Sequence, residues 1–310
     1  MSRQSVGQQA ASCGSSEKGG EASGYCCGSL TLCRSRPWGC VSKDYLVHPF
    51  CVNYFVFEYC IDLTASNILF RVSNVVHRWS DNDVYQNLGS PEIQDVYPRD
   101  GCLAPPLQAV AHIDISHLSS PSLLQEDILL IDFGQSFLAN SPPPNYQPAA
   151  LIHYWSPEAF FESKISFASD VWALACVIFQ IRAGFQLFDP FLASDTLILQ
   201  QIAGTLGRFP DPWWSTWEAR EQWFDETGEV KPEADLIAEK SSLREKLRNI
   251  GQQDDPPEAD EGCMIEKTGT GIEETEVELL ADLLEKMLRY NPEARISMTE
   301  VLQHPWFSYK

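Results

Sequence analysis

Long apolar runs and basic residues are both scarce in this sequence of 310 residues. No apolar stretch approaches the roughly 18 residues that a membrane-spanning helix needs, and the N-terminus carries no hydrophobic segment typical of a secretory signal. Lys and Arg together number 22, against 43 Asp and Glu, which gives a net charge of −21. We therefore expect an intracellular protein of the cytoplasm or nucleus, with no membrane and no nucleic acid as direct partner.

The acidic balance leaves two interpretations open. It suits basic partners, and it could equally serve only to keep the chain in solution. The ten cysteines, in a chain without a secretory signal, are expected to be reduced thiols. Four of them near the N-terminus lack the CxxC spacing of a zinc site, so we interpret them as free thiols: Cys26, Cys27, Cys33 and Cys40.

Composition divides the chain into three parts. Residues 1–44 are rich in Ser, Gly and Cys and are predicted to be disordered, whereas 45–60 are apolar and aromatic and predict a short strand. Residues 61–308 are predicted to form one lobe, with polar inserts at 73–126 and 225–275.

Within this lobe, two strands are expected before a series of helices. The strand candidates are "NILFRV" and "DILLIDF" (127–133). Asp170 is the expected cap of a buried central helix that ends at Gly184. Further helices are predicted over 194–207, 241–251 and 276–290 and after the capping box "SMTE" (297–300). Strands followed only by helices predict an α+β fold, mainly helical with a small β-hairpin.

Five motifs follow one another in a fixed order. They are "CIDLTASNILF" (60–70), "LLIDFGQSF" (129–137), "YWSPEAFF" (154–161), "SDVWALACVIFQIRAGFQLF" (169–188) and "LLEKMLRYNPEARISMTEVLQHPWF" (283–307). In this order they resemble the C-terminal lobe of the eukaryotic protein kinases. The "FPDPWWSTWEAREQWFDETGEV" segment and the long insert before Asp132 are most similar to the Ser-Arg-protein kinases.

The resemblance implies a set of catalytic and metal-binding residues. Asp62 would accept or orient the proton of the substrate hydroxyl, and Asn67 and Asp132 would hold the magnesium ions that bridge the ATP phosphates. Thr64 stands where the family has a lysine, and could hydrogen-bond a phosphate without adding charge. The alternative is that Asp62, Asn67 and Asp132 survive as a fold signature without turnover.

The resemblance also implies residues that hold the lobe together. Glu158 would pair with Arg295, which fixes the segment before it to the helical base of the lobe. Asp170 would hydrogen-bond the backbone of the catalytic loop from the central helix.

Several family features are missing from the sequence. Ile61 replaces the arginine that binds a phosphorylated activation segment, and no glycine triple of the phosphate-binding loop precedes Asp62. Lys18 and Lys43 are the lysines upstream, and neither lies in a strand like that of the family's ATP-binding lysine. Residues 45–60 resemble the hinge-like end of an N-terminal lobe that is otherwise incomplete. We therefore expect that the 310-residue chain as it stands neither binds ATP tightly nor phosphorylates a substrate.

Three functional hypotheses remain open. The first is an ATP-dependent Ser/Thr kinase acting on Ser in Arg/Ser-rich segments, represented by a truncated or misassembled chain. The second is a catalytically inactive pseudokinase lobe that binds basic partners. The third is a decayed product that does not fold, which the intact helix signals disfavour.

Overall fold

A computed structural model describes most of the lobe. Its described residues are 59–60, 63–96, 107–110, 123–138, 141, 143, 146, 148, 150–234, 240–252 and 271–309. The cysteines at 26–40, the segment predicted to be disordered, most of 45–60 and Asp62 lie outside these residues. Among the described helices, none is both long and apolar enough to cross a membrane.

The described strands pair antiparallel in twos. β1 (Tyr59–Cys60) pairs with β6 (Phe137–Leu138), β2 (Ile68–Val72) with β5 (Leu124–Leu130), and β3 (Ile93–Val96) with β4 (Leu107–Val110). The helices of the described part are α1 (Asp81–Leu88), α2 (Pro157–Glu162), α3 (Phe167–Ala183), α4 (Asp195–Leu206), α5 (Trp213–Thr216), α6 (Leu243–Arg248), α7 (Glu274–Met287) and α8 (Met298–Leu302).

Helix α3 is the centre of the core, as its nearly continuous apolar sequence predicts. Val177 and Phe179 are fully buried, and α3 packs against α7, where Leu280 and Leu284 are also fully buried. Burial of each such side chain stabilises the fold by about 1.5–3 kcal/mol. A buried ion pair also joins the two helices, because Arg182 Nε donates to Glu276 Oε1 at 3.0 Å.

The predicted N-cap of α3 is wrong. The helix begins at Phe167, and Ser166 and Ser169 form a capping box, so Asp170 lies within the first turn instead of before it. The hydroxyl of Ser169 satisfies the backbone N–H of Ser166 at 3.1 Å. Ser166 and Ser169 therefore cap the helix together. The helix starts one turn earlier than it would if Asp170 were its N-cap.

The expected order of strands followed only by helices is also wrong, because α1 precedes β3. Ser80 and Asp83 form a capping box that starts α1, and Gly89 ends it with φ 77°. No residue of α1 is buried. The insert between β2 and β5 therefore contains regular structure, although its helix adds nothing to the core.

The strand expected over 127–133 runs from Leu124 to Leu130. It stops there because Asp132 adopts a left-handed backbone conformation, φ 63° and ψ 58°, that a strand cannot contain. The helices predicted over 194–207, 276–290 and after 297 are confirmed, with ends that differ by up to three residues. Ser194 and Gly207 cap α4 as predicted.

Candidate active site

Pairing of β2 with β5 brings Asn67 and Asp132 to one edge of the sheet. Ile68, the first residue of β2, lies opposite Leu130, the last residue of β5. The pairing continues by one residue, since the N–H of Ile131 donates to the carbonyl of Asn67 at 2.9 Å. Asn67 accepts this hydrogen bond, and Asp132 directly follows the residue that donates it. The two residues are 65 positions apart in the sequence but lie at the same end of the strand pair.

Asp132 is the first residue beyond this edge, and its backbone is strained. A left-handed conformation at a residue other than glycine costs of order 1 kcal/mol, and Asp tolerates it better than most residues. The chain then forms a single 3-10 turn, Phe133–Gln135, which the hydroxyl of Ser136 closes by donating to the carbonyl of Phe133 at 2.7 Å. The Asp132 side chain is exposed, and no described residue donates a hydrogen bond to its carboxylate.

Thr64 differs from Asp132 in being buried, with 7 % of its surface exposed. Its hydroxyl lies 2.8 Å from that of Ser66, so the two hydroxyls hydrogen-bond each other. The N–H of Asn67 donates to the carbonyl of Thr64 at 3.1 Å, which closes the 3-10 turn Ala65–Asn67. Thr64 therefore supports the turn that carries Asn67.

The loop from Cys60 to Asn67 is held from both sides. Before it, Cys60 pairs with Phe137 across β1 and β6, directly after the turn that follows Asp132. After Asp62, which lies outside the described residues, Leu63 is buried and lines a small cavity with Asp170. The same strand pairs that position Asp132 thus bracket this loop.

Asp170 lies at the base of the loop. The residue is only 3 % exposed in the first turn of α3, and α3 packs against the 3-10 turn that contains Asn67. A carboxylate in a helix's first turn is favoured by the helix dipole, which offsets part of the cost of its burial.

Glu158 and Arg295 form a buried ion pair beside α3. Arg295 Nη1 and Nη2 donate to Glu158 Oε1 and Oε2, both at 2.7 Å, and the two side chains are 1 % and 4 % exposed. Ser169 donates to Glu158 Oε1 at 2.9 Å. Arg295 also donates to the carbonyls of Ala168 (2.6 Å) and Arg289 (2.8 Å). These bonds compensate the desolvation of both charges.

Tyr154 is a further residue of this region, and no motif in the sequence pointed to it. Its hydroxyl donates to Gln180 Oε1 on α3 at 2.5 Å. Burial raises its pKa above the ordinary value for tyrosine, so it remains a neutral donor. It joins the segment before Glu158 to α3, which also packs against the turn that carries Asn67. The sequence held no signal for this, because the arrangement depends on α3 packing against both segments.

His153 lies in the same segment, and only 11 % of its side chain is exposed. Its Nε2 lies 3.7 Å from Asp189 Oδ1, and its Nδ1 is buried without a hydrogen-bond partner among the described residues. Burial lowers the pKa of His153, and the nearby Asp189 carboxylate only partly opposes this. The imidazole is therefore held in its neutral form near pH 7.

Comparison with known proteins identifies several similar kinases. Dual specificity protein kinase CLK2 of Homo sapiens is 29 % identical over 157 residues, 50 % of this chain and 27 % of CLK2. Dual specificity protein kinase lkh1 of Schizosaccharomyces pombe is 25 % identical over 218 residues, 69 % of this chain and 28 % of lkh1. The chain thus spans little more than a quarter of the length of these two relatives.

A solved structure of a kinase domain aligns with a TM-score of 0.45 and 16 % identity, covering 86 % of this chain and 64 % of the other. The protein kinase domain family matches residues 109–307. This match covers more than half of the 310 residues. The chain has a protein-kinase-like fold and belongs to the protein kinase domain family.

Proposed function

We propose that this protein transfers the γ-phosphoryl group of ATP to serine hydroxyls in Arg/Ser-rich protein segments. The β2–β5 register is the observation that carries the proposal, because it brings Asn67 and Asp132 to one sheet edge. Family membership supplies the reaction class. The subfamily we favour is that of the Ser-Arg-protein kinases, with 45–60 as the hinge-like end of an N-terminal lobe.

The chemistry of this edge fits magnesium. Mg²⁺ prefers oxygen ligands and is held in phosphoryl-transfer sites by one or two carboxylates together with substrate phosphates. Asp132 supplies an exposed carboxylate and Asn67 an amide oxygen. In the proposed site these two residues hold the metal, which when bound neutralises charge on the phosphates.

The remaining roles fall to the loop between Cys60 and Asn67. Asp62 orients the acceptor hydroxyl and accepts its proton. The Thr64 hydroxyl is buried against Ser66, so Thr64 supports the turn that carries Asn67. As a threonine it supplies no positive charge to the phosphate. Because the charge of a lysine is absent at this position, we expect slow phosphoryl transfer compared with kinases that have it.

The acidic net charge of the chain supports the proposed choice of substrate. A net charge of −21 favours Arg-rich segments through electrostatic attraction, mainly by accelerating their association. The relatives carry the description "dual specificity", so tyrosine is a second acceptor to test. We place the activity in the cytoplasm or nucleus, where a free thiol such as that of Cys176 remains reduced.

The test is phosphoryl transfer from Mg-ATP to an Arg-Ser repeat peptide, followed by the intact mass of the peptide. Matched peptides carry Ala or Tyr in place of Ser. Against the expectation from the missing glycine-rich loop, the proposal predicts that the wild-type chain phosphorylates the Ser peptide and that Asp132→Asn loses at least about a hundredfold of this activity. Equal rates for the wild type and Asp132→Asn would contradict the proposal.

A second candidate function is a non-catalytic module that binds basic segments. The uncharged, buried Thr64 favours it. On this hypothesis the chain binds the Arg-Ser peptide, measured by fluorescence anisotropy, with equal affinity in the wild type and in Asp132→Asn. No phosphorylated peptide forms in either case.

A further inference from the structure

A groove of about 620 Å³ lies between the end of α7 and the segment that follows α8. The exposed charges of its lining are those of Lys286, Arg289 and Glu300, because the guanidinium of Arg295 is paired with Glu158 and only 1 % exposed. Acidic residues outnumber basic ones about two to one in the whole sequence, 43 to 22. With two exposed cations and one carboxylate, the lining of the groove has the opposite balance from the whole sequence.

Glu300 does not neutralise these cations. Its Oε2 accepts from the backbone N–H of Ser297 at 3.0 Å and from the Ser297 hydroxyl at 2.6 Å, which caps α8. These bonds lower the pKa of Glu300, the hydroxyl contributing most. The carboxylate is therefore committed to the helix cap.

Arg289 has no ion-pair partner among the described residues. Its side chain is exposed, and only its backbone carbonyl is used, by Arg295 Nε at 2.8 Å. A guanidinium is a rigid fork of donors that matches a carboxylate in a bidentate arrangement. Arg289 can therefore bind an external carboxylate without breaking an existing pair.

Lys286 is the second cation, and a resident carboxylate holds it. Lys286 Nζ lies 2.5 Å from Asp282 Oδ2, which His304 Nε2 also approaches at 2.8 Å. These contacts, that of Lys286 most, lower the pKa of Asp282. Asp282 and Lys286 are both about half exposed, so their pair is weak and can be exchanged for a pair with an incoming carboxylate.

We propose that this groove is a docking site for an acidic segment of a partner protein, whose Asp or Glu side chain binds Arg289 and competes with Asp282 for Lys286. Arg289 provides the bidentate contact, and Lys286 adds a point charge once it leaves Asp282. The site is distinct from the Asn67–Asp132 edge, and docking does not depend on phosphoryl transfer.

The experiment measures binding of a fluorescein-labelled peptide of alternating Glu and Gly to the full chain by fluorescence anisotropy. We expect Arg289→Glu to weaken binding at least about tenfold. Arg78→Glu is the matched control, since Arg78 is exposed and its reversal changes the net charge equally. Asp282→Asn should strengthen binding, because it releases Lys286, whereas Glu92→Gln, an exposed neutralisation elsewhere, should not.

Two further measurements separate docking from other effects. The Asp132→Asn variant should bind the peptide with the affinity of the wild type, because docking does not involve the proposed metal site. Failure of the proposed phosphoryl transfer would therefore leave the docking result unchanged. Raising the ionic strength to about 1 M should weaken binding, because the Debye length falls to about 3 Å. The proposal is overturned if the peptide does not bind, or if Arg289→Glu and Arg78→Glu reduce the affinity equally.

Discussion

Replacing Glu158 by Gln should destabilise the lobe severely. The change removes one charge from an ion pair whose two side chains are almost completely buried. Arg295 would keep its bonds to the carbonyls of Ala168 and Arg289, but it would lose the bidentate contact at 2.7 Å on both nitrogens. A buried guanidinium would then remain without its counter-charge.

The magnitude follows from the burial of the pair. Removing one partner of a buried pair costs about 3–5 kcal/mol, because the other charge stays desolvated. The amide oxygen of Gln can still accept one hydrogen bond from Arg295. We therefore expect the free energy of unfolding to fall by about 3 kcal/mol, the lower end of this range. Neutralisation of Glu218, an exposed carboxylate, should change the stability by less than about 0.5 kcal/mol.

Urea unfolding followed by tryptophan fluorescence measures these losses. A double-mutant cycle with Arg295→Met isolates the coupling between the two side chains, which we expect to be about 2 kcal/mol or more. The double variant should be more stable than Glu158→Gln alone, since no unpaired charge remains in it. A loss below about 1 kcal/mol in Glu158→Gln, or a coupling near zero, would refute this reasoning.

Three further predictions concern single residues. Asp132→Asn should leave the unfolding free energy within about 0.5 kcal/mol of the wild type, since Asn tolerates the left-handed conformation equally well; a large loss in urea unfolding would show that the carboxylate serves the fold. Ser166→Ala should cost about 1 kcal/mol through loss of the α3 capping box, and an unchanged urea midpoint would count against that cap. His153 has a lowered pKa in the folded state, so its stabilising contribution is present above its unfolded pKa of about 6.5 and is lost as the pH falls below that value. His153→Asn should therefore lose less stability than the wild type between about pH 7.5 and pH 5.5, and equal losses would exclude His153 as the cause.

Local signals in the sequence were enough to predict much of the helical part. Ser194 and Gly207 mark the ends of α4, and Ser297 with Glu300 marks the start of α8, because capping depends on a few adjacent residues. The same rule explains the error at α3. Asp170 and Ser166 are both good caps, and the choice between them depends on Ser169, which also bonds Glu158 from another element.

Proximity of Asn67 to Asp132 could be expected only from the family resemblance. The register of β2 and β5 joins segments separated by a long insert, and no local propensity specifies such a pairing. Tyr154 and the basic groove were missed for the same reason. Each consists of residues that come together only when α3 or α7 is packed in place.

The most direct test of the central claim is a titration with Mn²⁺, which like Mg²⁺ prefers oxygen ligands, followed by the electron paramagnetic resonance signal of the free ion in the presence of ATP. If Asn67 and Asp132 form one metal site, Asp132→Asn and Asn67→Ala should each weaken Mn²⁺ binding at least about tenfold, whereas Glu218→Gln should leave it unchanged. Equal Mn²⁺ binding by all four proteins would contradict the assignment of this sheet edge as the site of phosphoryl transfer.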